Sequence, residues 1–274
     1  MRQAVGVEFE GDWQRDGAIC VRGAFGAADV ALATAGVDAN LAALSPLAKR
    51  ASADDDAIFV EDFCNWQRID ALREFITQSP AAAIAGELTG SSTIRLYHDH
   101  MLTKEPGTTQ ITPWHQDQPY YNVEGSLNAS MWMPLDPVNR ETTIEFVTGT
   151  HRGPWFMPRT FLDEQARWFP EGSLAELPDF AADRDEWRII GWALEPGDAV
   201  FFNFLTVHGA PGVAGTTRRR ALSVRFLGDD MVHAPRSWTT SPPFDGLVDE
   251  LAPGVPMDHP LFPLLWTRSQ VAAR

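Results

Sequence analysis

The sequence predicts a mainly β protein, a jelly roll of two facing sheets with helices packed against its outside. Three observations predict it. After residue 90, short runs of β-branched and aromatic residues alternate with Gly/Pro turns, at 93–97, 127–133, 143–147, 199–204 and 221–227. Glu195-Pro196-Gly197-Asp198 is a turn signal directly ahead of the fourth run. Before residue 90 the apolar period changes to that of helices. Many short strands with turn punctuation close into two packed sheets, and amphipathic helices then cover an outer face.

The helical part comes first. Residues 29–44 are Ala-rich and end at Ser45-Pro46. Ile69, Leu72, Phe75 and Ile76 repeat at helical spacing over 69–78, and the pattern stops before Pro80. A third helix is expected at 81–88, closed by Gly90. Residues 160–190 are polar and aromatic, a helical or irregular insertion, and the proline-rich tail from 241 reads as an irregular wrap. No repeat or low-complexity linker divides the chain. One domain over 1–274 is expected, with a helical part at about 1–90 and a jelly-roll core at about 91–230.

Composition narrows the partners. Hydrophobic residues make up 44%, enough for a sizeable core. Against 22 Lys and Arg stand 37 Asp and Glu, a net charge of −15. Such a surface repels phosphate backbones and anionic lipid, so neither nucleic acid nor membrane is an expected partner. No apolar run reaches the roughly 18 residues of a membrane span, and the N-terminus lacks the apolar stretch of a secretory leader. Cys20 and Cys64 are too few for a disulfide framework and match no zinc spacing. They read as free thiols, and the expected location is the cytoplasm. The oligomeric state is not legible.

Chemistry concentrates in Thr112-Pro113-Trp114-His115-Gln116-Asp117. On an extended chain His115 and Asp117 point to one side, bringing an imidazole and a carboxylate to one point. His208, just past the apolar run at 199–204, is the best third ligand. Two His and one carboxylate on one face of a metal leave three adjacent positions open, the pattern of non-haem Fe(II) oxygenases. A 2-oxo acid such as 2-oxoglutarate and O2 fit those positions. The far carboxylate of the 2-oxo acid then needs a buried cation, and an Arg fork suits it. Arg219, eleven residues after His208, heads the last strand run; Arg218 and Arg220 flank it on the opposite face, and the residues alone leave the register open by one position.

These strings resemble the phytanoyl-CoA dioxygenase family of Fe(II)/2-oxoglutarate oxygenases. The matching stretches are Lys104-Glu105-Pro106-Gly107, Pro113-Trp114-His115-Gln116-Asp117, residues 127–134, residues 145–152, Pro196-Gly197-Asp198, His208-Gly209 and Arg219-Arg220-Ala221. They cover most of residues 94–227. The resemblance implies a double-stranded β-helix, the jelly roll of cupin-like proteins, with iron at His115, Asp117 and His208. It implies the 2-oxoglutarate distal carboxylate at Arg219, Trp132 along the cosubstrate, and Thr112 within hydrogen-bond reach of it. The expected reaction is hydroxylation of a small organic molecule, with release of succinate and CO2. Where the family often has Ser, this chain has Ala210. Asp117 separates it from related halogenases, which lack the carboxylate.

Other residues attract attention near these motifs. His98-Asp99-His100 puts two imidazoles on one strand face, and His100 is a candidate for the pocket lining. Tyr120 and Tyr121 follow the metal motif and are candidates to shape a pocket mouth for a neutral or cationic substrate. Lys104 is either a partner for a carboxylate or an exposed loop residue. Two other readings use the same fold: a non-catalytic jelly-roll binding protein, and a cupin-like zinc hydrolase or isomerase. Neither needs Arg219.

Overall fold

The computed structural model describes residues 7–158, 170, 172–213 and 215–268. In chain order the strands are β1 (Glu8–Gly11), β2 (Ala18–Arg22), β3 (Lys49–Arg50), β4 (Phe59–Phe63), β5 (Thr93–Lys104), β6 (Thr112–His115), β7 (Val123–Glu124), β8 (Asn128–Pro134), β9 (Glu145–Val147), β10 (Ile189–Ile190), β11 (Ala199–Phe202), β12 (His208–Ala210), β13 (Arg219–Leu227), β14 (Val232–His233) and β15 (Leu264–Thr267). The helices are α1 (Trp13–Asp16), α2 (Ala27–Ala42), α3 (Asp70–Gln78), α4 (Ala81–Thr89) and α5 (Leu247–Glu250).

A large sheet runs β1-β2-β11-β8-β13-β5-β4-β3, with β15 also on β5. A smaller sheet runs β10-β9-β12-β6. The architecture is the mainly β jelly roll with external helices.

Alternation on the large sheet separates its two faces. Leu222, Val224 and Phe226 of β13, with Met131 and Met133 of β8 and Phe201 of β11, pack against Val37, Leu72, Phe75, Ile76 and Ile84 of α2, α3 and α4. The other face is mixed. It presents Arg219, Ser223 and Arg225 among apolar Trp132, Val200, Phe202 and Ala221. β9 adds Phe146 from the small sheet.

The expected helices at 69–78 and 81–88 match α3 and α4, and Gly90 closes α4 with a left-handed φ of 77°. The first ninety residues hold α1 to α4 but are not helical throughout. They also supply β1 to β4, which extend the large sheet at both edges. β5 is longer than the expected 93–97, because His98, Asp99, His100 and Lys104 broke its apolar pattern. His98, His100 and Lys104 lie on the face turned toward the site, while Asp99, on the opposite face, accepts from the amides of Asn65 and Trp66. A bulge opposite the Arg225–Phe226 step shifts the register at Tyr97, so that Leu96 joins the helix-side core and His98 lies opposite Arg225. Of the stretch expected to be an insertion, residues 160–169 and 171 lie outside the described residues. The described remainder is irregular apart from a short helical turn at Arg184–Glu186 and strand β10, and Leu177 and Phe180 pack on Val147 and Val207 of the small-sheet layer.

One close approach fixes the outer layer. A Cβ on Gly86 would meet Trp266 ring carbons at 2.3, 2.6 and 2.9 Å. Alanine is the better helix former by about 1 kcal/mol, but overpacking of this kind costs about 1–3 kcal/mol. Gly86→Ala is therefore expected to lower, not raise, the denaturant midpoint.

Candidate metal centre

β6 and β12 run antiparallel with His115 opposite His208, and their ring centroids lie 4.2 Å apart. β6 ends at His115, so Asp117 reaches the same point by a turn and not along an extended strand. Its backbone is helical (φ −73°, ψ −43°), and its N–H donates to the Phe204 carbonyl at 2.8 Å. Gln116 turns away, donating to the carbonyls of Pro154 and Leu205 and accepting from the Phe156 N–H. The Asp117 Oδ1 lies 3.6 Å from His115 Nε2 and 3.7 Å from His208 Nε2. Among the described residues, this is the cluster of His, Cys and acidic side chains whose ligand atoms converge, all within 4.8 Å of one another.

The donor set fits a divalent iron. The Nδ1 atoms of His115 and His208 lie 2.8 and 2.9 Å from the carbonyls of Pro113 and Thr206. A carbonyl only accepts, so each Nδ1 carries its hydrogen and each Nε2 lone pair points at the cluster. Burial, then the nearby His115, pushes His208 down to about 3, so its imidazole is neutral. Burial alone would raise Asp117, but the Arg225 guanidinium and the two imidazoles hold it well below the usual carboxylate range.

Behind Asp117 stands a support that the sequence reading missed. Ser130 Oγ donates to Asp117 Oδ2 at 2.7 Å, and Arg225 Nη2 lies 3.3 Å from the same oxygen. Arg225 Nε donates to the Tyr121 hydroxyl at 3.0 Å. Oδ2 is thereby engaged, and Oδ1 is left for the metal. The signal was present: an arginine inside Ala221-Leu222-Ser223-Val224-Arg225-Phe226-Leu227 is a buried charge that requires a partner. Supporting partners of this kind are worth about 10–100-fold in metal affinity. Arg225→Met is expected to weaken Fe(II) binding within that range, and Ser130→Ala less. Competition with a chromogenic chelator measures both, and unchanged affinity in Arg225→Met would assign the pair a purely structural role.

The cluster opens onto a cavity lined by His100, Lys104, Thr112, His115, Trp132, Phe202, His208, Ala210, Arg219, Ser223 and Arg225, among others. Thr112, Trp132, Arg219 and His100 thus meet around one space. Arg219 is 6% exposed and donates to the carbonyls of Thr142 and Pro211, while burial lowers it to about 10. Arg218 pairs with Glu105 and Arg220 with Asp136 and Asp38, outside the cavity. His100 stacks on Phe63 and lies 3.2 Å from Glu61 Oε2.

The two tyrosines part company. The Tyr120 ring stands edge-on to His115, 5.9 Å between centroids. Tyr121 is buried with Tyr97 and Phe204 and bonded to Arg225, so it supports the centre from behind instead of lining a mouth. Successive residues beyond the short helical turn at Gln118–Tyr120 face opposite ways, and the apolar cluster takes the second ring. His98 is buried beside the same tyrosines, and Asp99 accepts from the amides of Asn65 and Trp66, so this motif holds no second cluster of ligands.

Comparison with known proteins agrees with this geometry. The family model described as phytanoyl-CoA dioxygenase (PhyH) matches residues 13–221. A probable phytanoyl-CoA dioxygenase of Caenorhabditis elegans is 25% identical over 186 residues, which is 65% of this chain and 53% of that protein. The chain spans about half the length of the curated relatives it matches. Among solved structures, the non-heme α-ketoglutarate-dependent carbocyclase SnoK from nogalamycin biosynthesis superposes with a TM-score of 0.71 at 23% identity, over 93% of this chain and 94% of that one. The epimerase SnoN, in complex with Fe3+, α-ketoglutarate and nogalamycin RO, gives 0.74 at 23% identity, over 93% and 96%. At that identity the two structures speak for the fold alone. The family model covers most of the sequence and the metal cluster carries the family's His-x-Asp…His set, so the chain belongs to the phytanoyl-CoA dioxygenase family of Fe(II)/2-oxoglutarate-dependent oxygenases.

Proposed function

We propose that this protein is a 2-oxoglutarate-dependent dioxygenase that oxidises an unactivated C–H bond of a small organic molecule and releases succinate and CO2. The observation that carries the reading is the cavity shared by the His115–Asp117–His208 cluster and the buried Arg219. Iron with 2-oxoglutarate supplies the oxidative activation of O2. The chain supplies the rest. His115, Asp117 and His208 hold the metal on one side and leave the cavity side open. Arg219 takes the distal carboxylate of 2-oxoglutarate with its planar fork, exchanging backbone carbonyls for a charged acceptor. Thr112 and Trp132 flank the cosubstrate. The apolar lining from Phe59, Leu102, Ile144 and Phe202 keeps the site dry. The bare methyl of Ala210 makes no hydrogen bond there. Tyr120 and His100 are the side chains placed to meet substrate. A cytoplasmic location accords with the free thiols of Cys20 and Cys64.

One fold hosts many reactions, and the structural neighbours include a carbocyclase and an epimerase. The test therefore reads both products. Under air with Fe(II) and 2-oxoglutarate, a screen of small molecules is expected to find one that stimulates succinate release. Mass spectrometry of that molecule then separates hydroxylation (one oxygen gained) from ring closure or desaturation (two hydrogens lost) and epimerisation (no change). Zinc in place of iron is expected to give no succinate. Turnover with zinc and without 2-oxoglutarate would mean a metal hydrolase or isomerase instead.

A further inference from the structure

Two buried basic side chains share one carbonyl in this cavity. Lys104 of β5 lies opposite Arg219 of β13 in the sheet register. Lys104 Nζ donates to the Pro211 carbonyl at 3.1 Å, and Arg219 Nη2 donates to the same oxygen at 3.2 Å. Lys104 Nζ also donates to the Gln110 carbonyl at 2.7 Å and sits 4.5 Å above the Phe59 ring. The two residues are only 2% and 6% exposed. Among the described residues neither forms an ion pair. The carboxylate that acts on Lys104, Asp56, is occupied by the amides of Thr109 and Gln110.

Two like charges out of water, held by neutral acceptors, are an unfavourable arrangement unless an anion completes it. Burial and the Arg219 charge bring Lys104 down to about 6, against a weaker opposing pull from Asp56. Its other close neighbours, Phe59 and the Gln110 and Pro211 carbonyls, carry no charge. Above that pH the folded chain holds this amine neutral while the unfolded chain protonates it. Folding stability therefore falls as pH drops from the lysine range toward 6, and an apolar residue of similar length would be free of this loss. A carboxylate entering the cavity reverses the balance and restores the ammonium.

We propose that Lys104 is a second cation of the cosubstrate site, closing together with Arg219 on the distal carboxylate of a 2-oxo dicarboxylic acid. The proposal rests on the cosubstrate reading above and adds a residue to it. Selection for a dicarboxylic over a monocarboxylic 2-oxo acid then comes from two groups of different kinds, a planar fork and a compact point charge.

The experiment compares 2-oxoglutarate with 2-oxopentanoate, which carries a methyl group where the distal carboxylate stands. Each is titrated calorimetrically into the Fe(II)-loaded protein under anaerobic conditions, so turnover plays no part. Lys104→Met is expected to weaken 2-oxoglutarate by about 30-fold, the loss of one charge-assisted hydrogen bond. Binding of 2-oxopentanoate is expected to stay nearly unchanged, and Lys104→Arg to recover part of the loss. The melting temperature of ligand-free Lys104→Met is expected to equal or exceed that of wild type. Equal losses for both ligands, or none for either, would overturn the role of Lys104, as would a lowered melting temperature accompanied by equal losses. Wild-type protein that takes up no 2-oxoglutarate would overturn the cosubstrate reading itself, and this proposal with it.

Discussion

His208→Ala and Asp117→Ala are both expected to lose Fe(II) binding by more than about 100-fold, beyond the range seen when only supporting groups are removed. Both should also lose the weak visible absorption that Fe(II) and a 2-oxo acid give together under anaerobic conditions. The two variants should differ in stability. His208 is a neutral imidazole whose Nδ1 hydrogen goes to the Thr206 carbonyl, and its removal leaves no charge behind. Asp117 is the ion-pair partner of Arg225, which is 5% exposed. Deleting one member of a buried pair costs about 3–5 kcal/mol, because the other charge stays in the interior. Asp117→Ala is therefore expected to melt well below His208→Ala, and Asp117→Ala with Arg225→Met to regain much of the difference. Should either single variant keep full iron affinity, the ligand assignment is wrong. Equal melting temperatures for the two would show that Arg225 finds another partner.

The same contrast explains how much the sequence disclosed. His115, Asp117 and His208 were legible because metal chemistry restricts residue type and spacing together. The route by which Asp117 arrives was not, since a His-x-Asp pair converges on an extended strand and also around the turn that begins after His115. The strand runs at 127–133 and 221–227 were legible because one face of each is apolar and meets helices. β5 was cut short for the opposite reason. Its inner face carries His98, His100 and Lys104, and strand patterns assume that polar residues face water. In a jelly roll with an internal site, the polar face points inward. β1 to β4 were hidden by brevity, since two to five residues between helices hold too little periodicity to register. Arg225 and Ser130 escaped because partners across strands depend on register, and no local pattern encodes it.

Arg219→Ala is expected to weaken 2-oxoglutarate binding by roughly 100-fold or more, the equivalent of about 3–5 kcal/mol for a buried carboxylate–arginine pair broken on one side. The register of β13 makes the prediction specific. Arg219, Ser223 and Arg225 alternate onto the cavity side. Arg218 is bound to Glu105 at 2.9 Å with its side chain 46% exposed, a surface pair worth little. Arg218→Ala is thus expected to leave 2-oxoglutarate affinity within about twofold of wild type. Arg220→Ala should act on stability alone, by breaking the contacts with Asp136 and Asp38. Arg219→Lys distinguishes charge from shape: an ammonium keeps attraction to the carboxylate but not the two parallel hydrogen bonds, so it should fall between wild type and alanine. Calorimetric titration of 2-oxoglutarate into each Fe(II)-loaded variant under anaerobic conditions orders all four. Equal losses for Arg218→Ala and Arg219→Ala would mean that the cosubstrate reaches β13 from its other face, which the packing of Leu222, Val224 and Phe226 against the helices forbids in this fold.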